Sequence, residues 1–266
     1  METIPKLGLG TWENTDPEAC AASVEFALEL GYQHIDTAQA YDNEEYVGEG
    51  IARADVDRDD FFLATKVHDE FSGLGYDRFY EAAENRLDAL DVDALDLLYV
   101  HWPIGRYDAE ATLPALDQAV DDGITEYAGV SNFTIELLDE AIETLDNPLF
   151  AHQAECHPYL QQEHLIEHAQ ENGYYFVAYS PLARGDVLTD DVLTDIADKH
   201  DASAAQVSLA WLMGNENVVV IPKATSESHI RDHLAALDLD LDDEEAARIE
   251  SIEPDQRYVD RATAPC

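Results

Sequence analysis

Seven short apolar runs in this chain end in side chains that can carry charge or form hydrogen bonds. The first three end in Asp36, Lys66 and His101, at intervals of 30 and 35 residues. A carboxylate, an ammonium and an imidazole can each hold or transfer a proton, so their recurrence at run ends indicates acid–base chemistry. The remaining runs end in Ser131–Asn132, Gln153–Glu155, Tyr179–Ser180 and Lys223.

Lysine is scarce in this sequence, and its placement is informative. The lysines are Lys6, Lys66, Lys199 and Lys223, and two of the four close apolar runs. A site that needs an amine explains this placement. A structural ion pair between Lys66 and a neighbouring carboxylate also explains it. The residue type alone does not distinguish these two explanations.

Amphipathic segments with the hydrophobic spacing of helices lie between the apolar runs. Examples are residues 16–31, 77–91 and 203–214. In the first of them, Asp16 is a typical N-cap, Pro17 suits the first helical position and Gly31 suits the helix end. Short strands that alternate with helices predict a parallel sheet with right-handed crossovers.

A first strand near Lys6–Leu9 brings the number of strands to eight, which predicts a (β/α)₈ TIM barrel of the α/β class. An open doubly wound sheet is the competing architecture, but it usually carries G-x-G-x-x-G after its first strand. Here that strand gives LGLGTW, without the third glycine. No linker or composition break appears, so we predict one domain over residues 1–266. The polar strand ends then meet at one mouth, where barrel enzymes have their active sites.

Seven motifs, in order along nearly the whole chain, resemble those of the aldo-keto reductases. They are HIDTAQAYDNE (34–44), TKV (65–67), VHWP (100–103), GVSNF (129–133), QAECHPY (153–159), AYSPL (178–182) and VIPK (220–223). Among these enzymes, the chain is most similar to the short, microbial diketogluconate and glyoxal reductase-like members. The resemblance implies reduction of aldehydes and ketones to alcohols with a nicotinamide cofactor.

The resemblance also implies a catalytic tetrad of Asp36, Tyr41, Lys66 and His101. Hydride addition to a carbonyl leaves an alkoxide, which a tyrosine hydroxyl can protonate, although its free pKa of about 10 is high. An ammonium at Lys66 would lower that pKa, and Asp36 would hold the ammonium charged. His101 would donate a hydrogen bond to the substrate oxygen and orient it beside Tyr41.

The resemblance assigns cofactor and substrate contacts as well. Ser131, Asn132 and Gln153 would bind the nicotinamide carboxamide, and Tyr179 would stack on its ring. Ser180 and Leu182 would approach the pyrophosphate, and Lys223 the phosphate on the adenosine ribose. Trp12 and Trp102 would line the substrate pocket.

After Lys223 this chain departs from the family pattern, in which a serine and then an arginine are common. This chain has Ala224 and His229 at those positions. A histidine is mostly neutral at pH 7, so a 2′-phosphate clamp that uses His229 is weaker than one with arginine. NADPH is therefore the expected cofactor with NADH as an alternative, and the identity of the small carbonyl substrate stays open.

Charge dominates the composition. Fourteen Lys+Arg against 58 Asp+Glu give a formal net charge of −44. Concentrated salt screens such self-repulsion, which predicts a protein of the salt-rich cytoplasm of a halophile. Nucleic acids and anionic membranes are excluded as partners because no basic patch is present. The repelling surface, like the relatives this sequence resembles, favours a monomer.

Two rival functions come from other classes. His164 and His168 fit H-x-x-E-H, a zinc-hydrolase pattern, but no third ligand is evident, and no metal site is predicted. The same fold could also serve as a non-catalytic regulatory subunit that binds the cofactor, because fold does not determine function. Loss of turnover on replacing Tyr41 by Phe separates an enzyme from such a subunit.

Overall fold

The computed structural model describes residues 3–253 and 256–259. Within these residues the apolar runs form eight mostly buried strands. The strands are β1 (Leu9–Gly10), β2 (His34–Asp36), β3 (Phe62–Val67), β4 (Leu95–Val100), β5 (Thr125–Ser131), β6 (Leu149–Glu155), β7 (Tyr175–Tyr179) and β8 (Val218–Val220).

The strands are parallel and follow one another in chain order from β1 to β8. The sheet then closes on itself. The Gly8 N–H donates to the Val220 carbonyl at 2.8 Å, and the Val220 N–H donates to the Lys6 carbonyl at 2.9 Å. This closure confirms the predicted barrel. In the competing open sheet, the first and last strands do not meet. The first strand lies slightly later than predicted because residues 6–8 bond to β8 rather than to β2.

Gly10 allows this closure. A Cβ at this position would lie 2.6 Å from the backbone oxygen of Ile221. Because real Cβ atoms do not approach a carbonyl so closely, any larger residue would separate β1 from the segment after β8.

The helices cover the outside of the barrel. They are α1 (Pro17–Leu30), α2 (Glu44–Arg53), α3 (Tyr76–Leu90), α4 (Ala109–Asp121), α5 (Ile135–Thr144), α6 (Glu163–Asn172), α7 (Asp191–His200), α8 (Ala204–Met213), α9 (Glu227–Leu234) and α10 (Asp243–Glu250). The ends of α1 are those predicted: the Asp16 side chain accepts from the Ala19 N–H at 2.9 Å, and Gly31 has a φ of 107°. None of the helices in the described residues is long and apolar enough to cross a bilayer.

The core has two parts. The larger lies between the strands and the helix layer, and the smaller fills the barrel interior. At the N-terminal end of the barrel the interior is filled by aromatic rings. Tyr127 and Phe150 stack with their ring centres 4.0 Å apart, and Phe62 lies 6.0 Å from Phe150. This end is therefore packed with apolar side chains, and the polar strand ends are left to form a site at the opposite mouth.

Candidate active site

The C-terminal mouth of the barrel contains a cavity of about 350 Å³. It is lined mainly by residues from strand ends and the loops that follow them. The lining residues are Gly10, Thr11, Trp12, Asp36, Ala40, Tyr41, His101, Trp102, Ser131, Asn132, Gln153, Tyr179, Ser180, Arg184, Ile221, Lys223, Tyr258 and Val259. Side chains far apart in the sequence thus converge on one space, as their positions at strand ends predict.

A buried ion pair lies at the base of this cavity. The Lys66 ammonium donates to Asp36 Oδ1 at 2.5 Å and to the Thr37 carbonyl at 2.7 Å. The second carboxylate oxygen of Asp36 accepts from Gln153 Nε2 at 2.9 Å. Burial raises the pKa of the Asp36 carboxyl and lowers the pKa of the Lys66 ammonium, while the contact between the two groups opposes both shifts. Because both groups have further hydrogen-bonding partners, the site favours the charged pair.

Tyr41 and His101 lie on the cavity side of this ion pair. Tyr41 ends the short 3₁₀ turn Gln39–Tyr41, which follows β2, and Lys66 Nζ lies 5.1 Å from the centre of its ring. His101 directly follows β4, and its ring meets the Tyr41 ring edge-on, with the centres 5.8 Å apart. A phenol next to a buried ammonium and an imidazole can donate a proton to a substrate oxygen bound in the cavity.

Four polar side chains along β5, β6 and β7 form one hydrogen-bonded wall. Ser131 Oγ donates to the Gln153 carbonyl at 2.9 Å, and the Asn132 amide donates to Ser131 Oγ at 3.0 Å. The Tyr179 hydroxyl donates to Asn132 Oδ1 at 2.8 Å. Asn132 adopts a φ of 65°, which asparagine tolerates better than most residues. Gln153 joins this wall to Asp36, so the wall and the ion pair form one network.

A smaller cavity of about 210 Å³ adjoins the first and suits phosphate groups. Ser180, Leu182, Arg184 and Lys223 contribute to its lining, and the Arg184 guanidinium lies 5.0 Å from the ring centre of Trp12. Two cations side by side are notable in a chain with 14 Lys+Arg against 58 Asp+Glu. This donor set fits the pyrophosphate and ribose phosphate of a nicotinamide dinucleotide.

The predicted phosphate contact His229 lies outside the lining of both cavities among the described residues. It is exposed on the first turn of α9, and its N–H donates to the N-cap Ser226 Oγ at 3.3 Å. Its ring stacks on that of His233, with the centres 6.4 Å apart.

The two predicted substrate contacts occupy different positions in the large cavity. Trp102 is buried and follows His101, with the two ring centres 6.5 Å apart. Trp12 is 36% exposed and lies at the mouth, where it lines both cavities.

Sequence reasoning did not identify Arg184, Tyr258 and Val259, which also line the large cavity. Arg184 follows the SPL motif and could have been noticed as one of the few basic residues near a strand end. Residues 258 and 259 lie beyond the last helix, where no periodic pattern indicates a structural role. Their place at the cavity is a consequence of the tertiary structure.

His164 and His168 do not share a site. His164 is exposed and lies 3.6 Å from Glu167. His168 contacts the Tyr174 hydroxyl at 2.7 Å and Asp139 at 3.0 Å. In the described part of the chain, no cluster of three or more His, Cys, Asp or Glu residues could hold a metal ion.

Comparisons with known proteins identify the family and the fold of this chain. Residues 6–254 match the model of the aldo/keto reductase family. The chain is 40% identical over 261 residues to methylglyoxal reductase DkgB of Salmonella typhimurium, which covers 97% of this chain and 96% of that protein. It is 37% identical over 254 residues to glyoxal reductase of Bacillus subtilis, and the match covers 96% of this chain and 91% of that protein. The crystal structure of MGS-M4, an aldo-keto reductase from a Medee basin deep-sea metagenome library, superposes with a TM-score of 0.92 at 32% identity, covering 97% and 95%.

Proposed function

This chain belongs to the aldo/keto reductase family and is an oxidoreductase that reduces carbonyl groups with a nicotinamide cofactor, and we propose that Tyr41 is its general acid. One observation carries the proposal. The Lys66 side chain is 0% exposed, lies 2.5 Å from Asp36 and faces the Tyr41 ring from the base of the cavity. A buried cation so placed favours the ionised form of the phenol and so makes its proton easier to give up.

Each member of the tetrad then has a distinct role. When bound, the nicotinamide cofactor supplies the hydride to the carbonyl carbon. Tyr41 gives its proton to the oxygen as negative charge develops there, and Lys66 stabilises the tyrosinate that remains. Asp36 keeps Lys66 charged and in place. His101, at the edge of the Tyr41 ring, donates a hydrogen bond that orients the same oxygen.

The wall and the smaller cavity would hold the cofactor. Ser131, Asn132 and Gln153 have the donors and acceptors that a carboxamide requires, and Tyr179 offers a ring face for stacking. Ser180 and Leu182 lie where the pyrophosphate would pass, next to the cation Lys223. NADPH is the proposed cofactor because these positive charges favour an additional phosphate.

Small aldehydes and ketoaldehydes are the proposed substrates. The cavity of about 350 Å³ lies near the lower limit for ligand sites, and Trp12 and Trp102 give it aromatic walls. Methylglyoxal and glyoxal, after which the relatives are named, are the first compounds to test.

The direct test mixes the purified protein with NADPH and with methylglyoxal, glyoxal or a larger aldehyde in concentrated KCl, and follows the loss of NADPH absorbance. Oxidation of NADPH in proportion to added carbonyl supports the proposal. Binding of NADPH without turnover of any carbonyl would instead favour a regulatory subunit.

Replacing His229 by arginine is expected to raise the preference for NADPH over NADH by roughly 10-fold or more, the worth of a charge-assisted hydrogen bond to a phosphate. His229 lies on the first turn of α9, six residues after Lys223. The measurement is kcat/KM with each cofactor. His164→Arg adds the same charge at an exposed position on α6 and should leave the ratio unchanged. An equal gain with both cofactors would show that position 229 does not face the 2′-phosphate.

The negative charge of the surface supports two further proposals, which concern the oligomeric state and the salt content of the cytoplasm. Most cations in the described residues are engaged with carboxylates, as in the Arg53 contacts with Glu18 and Glu49. Concentrated salt screens the repulsion within one molecule to a range of about 3 Å, and the remaining short-range repulsion between two acidic surfaces in contact still disfavours self-association. We therefore also propose a monomer that works in a salt-rich cytoplasm.

A further inference from the structure

Glu155, at the end of β6, is a buried carboxylate that the proposed mechanism does not use. It is 1% exposed and is absent from the lining of the active-site cavity. Its Oε1 accepts from the Tyr258 N–H at 2.7 Å, and its Oε2 accepts from the Val259 N–H at 3.0 Å. His157 Nε2 lies 3.1 Å from Oε1. Burial alone raises the pKa of Glu155, but these hydrogen bonds outweigh it and hold the pKa below its ordinary value.

The two backbone amides belong to residues 256–259, here called the C-terminal strap. The strap also contacts the loop that follows β6: the Gln256 N–H donates to the Tyr159 carbonyl at 3.2 Å, and the Tyr258 ring lies 5.2 Å from the His157 ring. The Tyr258 hydroxyl donates to Asp186 in the 3₁₀ segment after β7. The strap therefore joins the end of β6 to the loop after β7.

Tyr258 and Val259 also line the active-site cavity, so the position of the strap determines the shape of one cavity wall. A segment outside any helix or strand, such as residues 256–259, is held in place only by the contacts that tie it down. A buried carboxylate that accepts two backbone N–H groups is a strong tie, because each bond is charge-assisted and each amide would otherwise lose its partner.

We propose that Glu155 is a positioning residue, which holds the C-terminal strap in place so that Tyr258 and Val259 form a fixed wall for a small carbonyl substrate. This inference rests on the proposed function. A fixed wall favours small substrates, because they need contacts on every side to be held against Tyr41 and His101. A larger aldehyde reaches the other walls by itself and depends less on the strap.

Glu155→Gln tests the proposal because the amide keeps the size of the side chain but presents an NH₂ group to one of the two N–H donors. The KM for methylglyoxal is expected to rise roughly 10-fold, as loss of a hydrogen bond to a charged group implies, with kcat changed less than about threefold. The KM for 4-nitrobenzaldehyde should rise much less. The selectivity between the two aldehydes therefore falls.

A second measurement needs no activity. Trypsin cleavage after Arg257, within the strap, is followed by mass spectrometry. It should accelerate in Glu155→Gln, because the strap must leave the barrel to enter a protease. Val259→Pro removes one N–H donor from the strap and leaves the barrel side intact. Val259→Pro should raise both the KM for methylglyoxal and the rate of cleavage after Arg257. It replaces Glu155→Gln as the test if that variant does not fold.

Asp117 provides a matched control. This buried carboxylate on α4 accepts from the N–H groups of Asp146 and Asn147 at 2.9 and 3.0 Å, and none of the three residues lines the cavity. Asp117→Asn should affect stability without changing aldehyde selectivity or cleavage after Arg257. Unchanged cleavage in both Glu155→Gln and Val259→Pro would overturn the proposal, as would equal KM increases for both aldehydes. If the native protein reduces no carbonyl, the proposed function is wrong. The cleavage measurement still tests whether Glu155 holds the C-terminal strap in place.

Discussion

Tyr41→Phe is expected to lower kcat by about a thousandfold, within the range of 10²–10⁴ that general acid catalysis contributes. The substitution removes only the hydroxyl and keeps the ring that faces Lys66 Nζ at 5.1 Å. NADPH affinity should stay within about twofold, because the cofactor-binding residues proposed here lie on β5–β8 and the loops that follow them. Stopped-flow measurement of the hydride transfer step and fluorescence titration of NADPH separate the two effects.

Tyr76→Phe is the control for this change. Tyr76 is 40% exposed at the start of α3 and lies outside the active-site cavity. Its hydroxyl should contribute nothing measurable to turnover. Native-like turnover by Tyr41→Phe would exclude Tyr41 as the proton donor. The site would then have to protonate the substrate oxygen through His101 or water.

Lys66→Met is expected to destabilise the protein by about 3–5 kcal/mol, the cost of leaving one member of a buried ion pair uncompensated. Asp36 is 1% exposed and would lose the ammonium while keeping the hydrogen bond from Gln153. The double variant Asp36→Asn/Lys66→Met should be more stable than Lys66→Met alone, because no buried charge remains. Urea unfolding in concentrated KCl measures all three free energies of unfolding.

The loss in Lys66→Met should also depend on pH. Burial raises the pKa of Asp36, and removal of the ammonium takes away the contact that opposes this increase. A carboxyl whose pKa is higher in the folded than in the unfolded state stabilises the fold when protonated, and this contribution disappears as the pH rises through the folded pKa. The stability difference between the native chain and Lys66→Met should therefore be smaller at pH 5 than at pH 8. A difference that does not vary with pH would mean that Asp36 is not left as an unpaired buried carboxylate.

The difference between the two proteins is the informative quantity here. The other carboxylates of this acidic chain titrate over the same range in both proteins, so their contribution largely cancels. Lys199→Met is a suitable control, since Lys199 is 54% exposed and lies 3.8 Å from Glu245. The Lys199 ammonium lies in solvent, and the buried Glu245 keeps its contact with His200 at 2.8 Å, so the loss should cost no more than about 1 kcal/mol.

Much of the barrel could be predicted because local patterns specify it. The caps of α1 at Asp16 and Gly31 follow from residue type, and the strands follow from short apolar runs between amphipathic segments. The proximity of Lys66 to Asp36 also follows, because both lie at the C-terminal ends of neighbouring parallel strands or within one residue of them. Asp36, Lys66 and His101 were therefore accessible as candidates from their types and positions, whereas Tyr41 was assigned only by the resemblance of residues 34–44 to the family motif.

Other features depend on contacts that no local pattern encodes. Gln153 reaches Asp36 across 117 positions of sequence, because the barrel curves β6 toward β2. Arg184 reaches Trp12, and the strap reaches Glu155, only because the loops at the mouth converge. A strand or helix repeats its hydrophobic spacing, so the elements, their order and the polar residues at their ends follow from residue types along the chain. A loop contact has no such repeat, so the loops that shape the cavity and the contacts that hold them there are known only from the folded chain.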